Sequence, residues 1–220
     1  MRAKDLIEQD IPFLKPTDSV GMALNLMAEE HVRQLVLVGR AELPEILDEN
    51  ALLNFDENEL LVNVPALHTE NHAYEEMHLL QLAHYLADKD LEVCPIIDYD
   101  KKYLGSVKAS DIYIKVIKGT FSGDGALIGL LIDQKDYSLS DISRIVESEG
   151  LKIERLFLSE ELKNEFSQYR FVIKFNKKDA SKGISSLRRF GYVVELLSDA
   201  ETDTFVDRER FGLLMKYLEI

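Results

Sequence analysis

The stretch YLGSVKASDIY, Tyr103 to Tyr113, places four residues with binding chemistry close together. An apolar run ends there at a short polar turn and a helix begins, so Gly105, Lys108, Ser110 and Asp111 share one strand-to-helix junction. The open amides of a helix start can hold an anion. A hydroxyl such as Ser110 adds a donor, and a lysine such as Lys108 adds a point charge. Asp111 offers the opposite chemistry, because an ionised carboxylate only accepts hydrogen bonds. It is either a group that a ligand's hydroxyls would seek or a first-turn acid favoured by the helix dipole.

Other reactive residue types form no recognisable constellation. His68 and His72 stand four apart, a metal-ligand spacing on a helix with Glu70 nearby, but no third ligand or zinc-protease motif accompanies them. His78 and His84 flank an apolar helical stripe and read as boundary residues. Cys94 lies in the apolar run VCPII, where a small core residue is the simplest reading. No serine elbow, dinucleotide glycine fingerprint or paired-carboxylate motif is present, so binding is expected rather than catalysis.

The composition narrows the partners. Lys and Arg number 26 against 40 Asp and Glu, a formal charge of -14 that opposes phosphate backbones and anionic lipid. Neither nucleic acid nor membrane is an expected partner. A single cysteine forms no internal disulfide and suits a reducing compartment. The start MRAKDLIEQD lacks a signal-peptide apolar region, and runs such as ALIGLLI fall short of the ~20 residues that cross a bilayer. The expected location is the cytoplasm.

The elements that position the junction come from an internal repeat. Val20, Ala23, Leu24, Met27 and Ala28 line one helical face, and a shift of 59 brings the pattern back as Leu79, Leu82, Ala83, Leu86 and Ala87. Each copy then reads as a buried strand (QLVLV, VCPII), a second strand (LPEIL, YLGSV) and a helix starting near Asp48 or Ser110. One copy alone leaves an apolar face bare, so the two are expected to pack as one unit. GTFSGDG, 119 to 125, follows as a glycine-rich linker without the lysine of a phosphate loop.

Beyond the linker the order becomes βαββαβ, the ferredoxin-like plan. ALIGLLI is a strand; Leu139, Ile142, Ile145 and Val146 mark a helix stopped by Gly150; LKIERLFL and YRFVIKF are strands. Asp179 caps a helix presenting Ala180, Ile184, Leu187 and Phe190, and YVVELL closes the unit. Residues 199–220 read as a polar connector and a short amphipathic helix with Phe211, Leu214, Met215 and Leu218 on one face. It either docks on its own chain or a twin subunit, or presents that face to a partner.

The order of elements in residues 1–120, with PTDSVGMALNLMAEEHVRQLVLV first and CPIIDYDKKYLGSVKASDI second, resembles a tandem pair of CBS domains, the Bateman module. Copies of about 1–60 and 61–120 are expected, the second resembling the family more closely. Residues 121–198 resemble an ACT domain, and the whole arrangement is similar to acetoin-utilisation-type regulatory proteins. The expected fold is thus mixed α/β (α+β), a CBS pair followed by a ferredoxin-like ACT-type domain.

The resemblance implies a regulatory protein whose ligand contains adenosine, an adenine nucleotide or S-adenosylmethionine. In such domains the turn runs Gly, two apolar residues, Thr or Ser, two variable residues and Asp, with the carboxylate accepting from both ribose hydroxyls. Gly105 and Asp111 fit that pattern; Lys108 stands at the hydroxyl position, facing either a phosphate or water, and Ser110 is a further candidate. In the first copy Glu45 to Ala51 take these places, with Asp48 for the hydroxyl and a methyl for the carboxylate, which would repel phosphate. The ACT loop DQKDYSLSDI has Tyr137 where the family has glycine, so that domain is expected to serve dimerisation. A homodimer follows from both resemblances. The alternatives are a ligand-free interaction scaffold and, third, a metabolic enzyme.

Overall fold

A computed structural model describes residues 1–7, 11–65, 71–162 and 168–197. The chain divides into two compact units, Met1–Gly119 and Thr120–Ile220. Both mix helices and sheets, as expected. His68, Glu70 and the stretch 199–220 with its expected helix lie outside the described residues.

The first unit contains the repeat. Its first copy runs β1 (Phe13–Leu14), α1 (Val20–Glu30), β2 (Gln34–Leu37), β3 (Glu45–Asp48) and α2 (Glu49–Leu52). The second runs β4 (Ala73–Tyr74), α3 (Leu79–Asp88), β5 (Val93–Ile97), β6 (Tyr103–Lys108) and α4 (Ala109–Phe121). Each copy makes a three-stranded sheet in which the leading strand is parallel and the hairpin antiparallel. The leading strands β1 and β4 are absent from the sequence reading, because two residues carry no period. α2 is a single turn, shorter than expected, and α4 takes in Gly119 and Thr120 of the stretch expected to be linker.

The helices start and stop by local chemistry. Ser19 Oγ accepts from the Met22 amide at the start of α1, and His78 Nδ1 accepts from the Leu80 amide at the start of α3. After these helices the chain turns through a left-handed residue, His31 (φ 54°) in one copy and Asp90 (φ 51°) at the equivalent place in the other. Val20, Ala23 and Met27 of α1 and Leu82 and Leu86 of α3 are buried as the periodicity predicts, whereas Ala28 is exposed.

The copies complete each other. The turn Ala3–Leu6 packs into the second copy's core, with the Ala3 and Lys4 amides donating to Met77 and Glu75 carbonyls. Leu61 and Val64, which follow the first copy, fill that copy's core instead. The boundary between cores therefore departs from the expected 1–60 and 61–120, residues 1–7 belonging with the second. Val36 of β2 and Val93 of β5 meet in a shared cluster with Ile11.

The second unit runs β7 (Leu127–Asp133), α5 (Leu139–Ser148), β8 (Ile153–Leu162), β9 (Gln168–Phe175), α6 (Ser181–Arg189) and β10 (Val193–Leu196). Its antiparallel sheet has the order β10-β7-β9-β8, which with the βαββαβ sequence is the ferredoxin-like plan. Phe171, Ile173 and Phe175 alternate into the core against Ile142, Val146, Ile184 and Leu187. Phe190, expected on the same apolar face, is 57% exposed, because α6 ends at Arg189. Gly125 approaches the Phe175 carbonyl so closely that a Cβ would lie 1.5 Å from its oxygen.

Candidate functional site

β6 delivers the chain to α4, and hairpin register defines which residues of the two copies correspond. Asp48 lies opposite Gln34 in the first copy and Lys108 opposite Val93 in the second. Glu45 therefore corresponds to Gly105, Asp48 to Lys108 and Ala51 to Asp111. Gly105 (φ 148°) needs to be glycine for a local reason, since a Cβ there would sit 2.4 Å from Ile7 Cγ2. The N-terminal segment of the chain thus covers this glycine.

Lys108 faces neither water nor an open anion site. Its Nζ donates to Glu30 Oε2 at 2.5 Å and the Glu30 carbonyl at 3.3 Å, at the end of α1 in the other copy. A second clasp crosses the copies nearby: Arg33 Nε donates to Glu92 Oε1 at 2.6 Å, and the Arg33 amide donates to Glu92 Oε2 at 2.7 Å. The hydrogen bond and charge of Glu92 push the guanidinium's pKa further up. Asp111 occupies the first turn of α4, half-exposed, with no hydrogen bond or ion pair among the described residues.

A cavity of about 380 Å³ opens between the copies beside α4. One wall comes from His31 and Arg33, the facing wall from their repeat equivalents Asp90 and Glu92. Leu86 and Leu91 form apolar lining, and Ala109, Ser110 and Tyr113 close the α4 side. Burial pushes the Tyr113 hydroxyl's pKa up, and the charge of Asp90 adds to it. Ala109 and Tyr113 share a helix face; Asp111, midway between them in sequence, falls on the other side of the same turn. Of the predicted residues the structure thus brings Ser110 to the cavity, pairs Lys108 with Glu30, covers Gly105 with Ile7 and leaves Asp111 outside the cavity lining, without a partner among the described residues. Arg33, Glu92 and Glu30 were missed; the only signal was the opposite charge of Arg33 and Glu92 at equivalent repeat positions, and Glu30, 78 residues from Lys108, carried none.

The first copy's turn has a different occupant. Glu45, 5% exposed, accepts from Arg40 Nε at 2.7 Å, and Arg40 Nη1 donates to the Leu61 carbonyl at 3.0 Å and also to that of Val64. An ion pair fills the place that glycine holds in the second copy. Elsewhere, Cys94 is buried, its thiol pushed up to about 12 by burial, a core residue as predicted. Tyr137, in the loop between β7 and α5, stacks on Phe171, centroids 4.8 Å apart, and meets Tyr169 edge-on. No helix among the described residues is long and apolar enough to cross a membrane.

Residues 3–57 match the family model of the CBS domain. That match falls on the first copy, although the second had been expected to be nearer the family. No curated protein matches. Among solved structures, a CBS domain pair/ACT domain protein from Thermotoga maritima is similar at 18% identity and a TM-score of 0.49, over 54% of this chain and 98% of that one. The CBS domains of a transcriptional regulator from Streptococcus pneumoniae give 14% and 0.47, over 52% and 98%. CBSX2 in complex with AMP gives 19% and 0.45, over 53% and 96%.

Proposed function

We propose that the repeat unit is a regulatory CBS pair that takes an adenosine-containing small molecule at the start of α4, its ribose hydroxyls donating to Asp111. The observation that carries this reading is the contrast in partners at one turn: Lys108 and Arg33 are each held by a carboxylate, while the half-exposed Asp111 carboxylate has no partner among the described residues. A two-oxygen acceptor there suits a vicinal diol. Ser110, its neighbour in the first turn of α4, supplies a further hydroxyl. The second unit then serves as an ACT-like dimerisation domain in an acetoin-utilisation-type regulator, and the ligand acts by favouring one packing of the assembly over another. Light scattering is expected to give twice the chain mass of 25.2 kDa, and a dilute monomer would contradict the dimer.

Thermal unfolding with adenosine compounds tests the site. Ligand at one hundred times its Kd stabilises by about 2.7 kcal/mol, roughly 5–11 °C for a chain of this size. Asp111→Ala abolishes the shift and leaves the unliganded midpoint nearly in place; an unchanged shift removes Asp111 from the site. A second reading, an interaction scaffold without ligand, draws on Ile7 over Gly105 and Tyr137 over Phe171. It predicts no shift with any nucleoside and co-purification of a protein partner.

A further inference from the structure

We propose that the second copy carries a further site, separate from the turn before α4, that binds a small organic cation with an alkylated ammonium group. A cavity of about 480 Å³ runs along α3, where Gln81, His84, Tyr85 and Asp88 share one face, and Tyr74 and Tyr99 stand across from them. That volume lies within the ~300–1,000 Å³ of small-molecule sites. The tyrosines Tyr74 and Tyr99 stack, ring centroids 5.6 Å apart and planes 18° apart, yet are 41% and 72% exposed. Tyr99 thus keeps an open ring face beyond the stack. Its turn is nevertheless fixed, because Asp98 Oδ1 accepts from the Asp100 amide at 2.9 Å and the Lys102 amide at 2.8 Å. A ring held ready loses little freedom when a ligand settles on it.

The first copy shows that the fold does not need these rings. At the shift of 59 it has Lys15, Leu26 and Arg40 where the second has Tyr74, Tyr85 and Tyr99, and it makes the same three-stranded sheet. Cations therefore stand in one copy where the stacked pair stands in the other. The lining of the cavity defines the ligand class. Aromatic faces attract cations, and an alkylated ammonium gives up its water readily enough to rest on them. Asp88 adds a carboxylate near the end of α3, paired only loosely with Lys89 Nζ, 3.7 Å away. Glu76 also lines the cavity, but Arg2 and Lys4 already engage it. The formal charge of -14 favours the approach of a cation over that of an anion.

Proton NMR of choline titrated with the full chain tests the site, with 3,3-dimethyl-1-butanol as the uncharged molecule of the same shape. The choline N-methyl signal is expected to move upfield, as protons above an aromatic ring do, and choline to bind about tenfold more tightly than the alcohol. Tyr99→Arg, which installs the first copy's residue at an exposed position, abolishes the shift and keeps the thermal midpoint within about 2 °C of the unaltered chain. Tyr99→Phe, which keeps the ring, retains it. Asp88→Asn weakens choline roughly three- to tenfold and leaves the alcohol unchanged. Equal binding of the two probes, a choline shift unmoved by Tyr99→Arg, or no shift with about 10 mM choline overturns the proposal.

Discussion

The difference between Gly105 and Glu45 decides what each copy's turn can do. Glycine leaves room for Ile7 beside the second turn, while Glu45 fills the first and recruits Arg40, which also holds the Leu61 and Val64 carbonyls. The side chains of Arg40 and Glu45 are 17% and 7% exposed, so removing one partner strands a buried charge. Arg40→Ala is therefore expected to cost roughly 3–5 kcal/mol in chemical denaturation, against near-neutrality for a loss at an exposed pair such as Lys101–Glu42. Equal small effects would show the Glu45 pair to be dispensable. The strand-to-helix turn carrying Gly105 and Asp111 was legible in the sequence because a turn motif is local. The partners of Lys108 and Arg33 were not, since Glu30 lies 78 residues from Lys108 and only folding brings them together.

At the scale of elements, the repeat is held by segments that serve the copy they do not precede. Ala3–Leu6 leads into the first copy yet completes the second copy's core; Leu61 and Val64 follow the first copy and stay with it. Two ion pairs join residues 59 apart, Arg33 with Glu92 and Lys101 with Glu42. Residues at equivalent repeat positions that touch each other mark the axis relating the copies. An identical repeat would set like charges together there, so the two copies must differ at these positions. Leu6 is 3% exposed among second-copy residues, and Leu6→Ala is expected to destabilise the first unit by about 2–5 kcal/mol, read as a lowered denaturant midpoint. A change below 0.5 kcal/mol would show that the N-terminal turn is not part of that core. The helices and buried strands were legible from period and capping residues. The exchange of leading segments was not, because it concerns which core an apolar residue joins, and apolar residues look alike in sequence.

For the whole molecule, the sequence distinguishes two kinds of unit by a change of pattern, a 59-residue repeat giving way to βαββαβ, and the structure divides the chain at Gly119. The CBS family match on residues 3–57 lies in the copy whose strand-to-helix turn is occupied by Glu45. Element order and turn chemistry are thus separable within one unit: both copies keep the helix and buried strands, while their turns carry different side chains. The account's central claim is that one of two related turns binds a nucleoside. The stoichiometry of adenosine by calorimetry tests it most directly. One molecule per chain, lost in Asp111→Ala and retained in Ala51→Ser, is the predicted result; two per chain, or none, would contradict it.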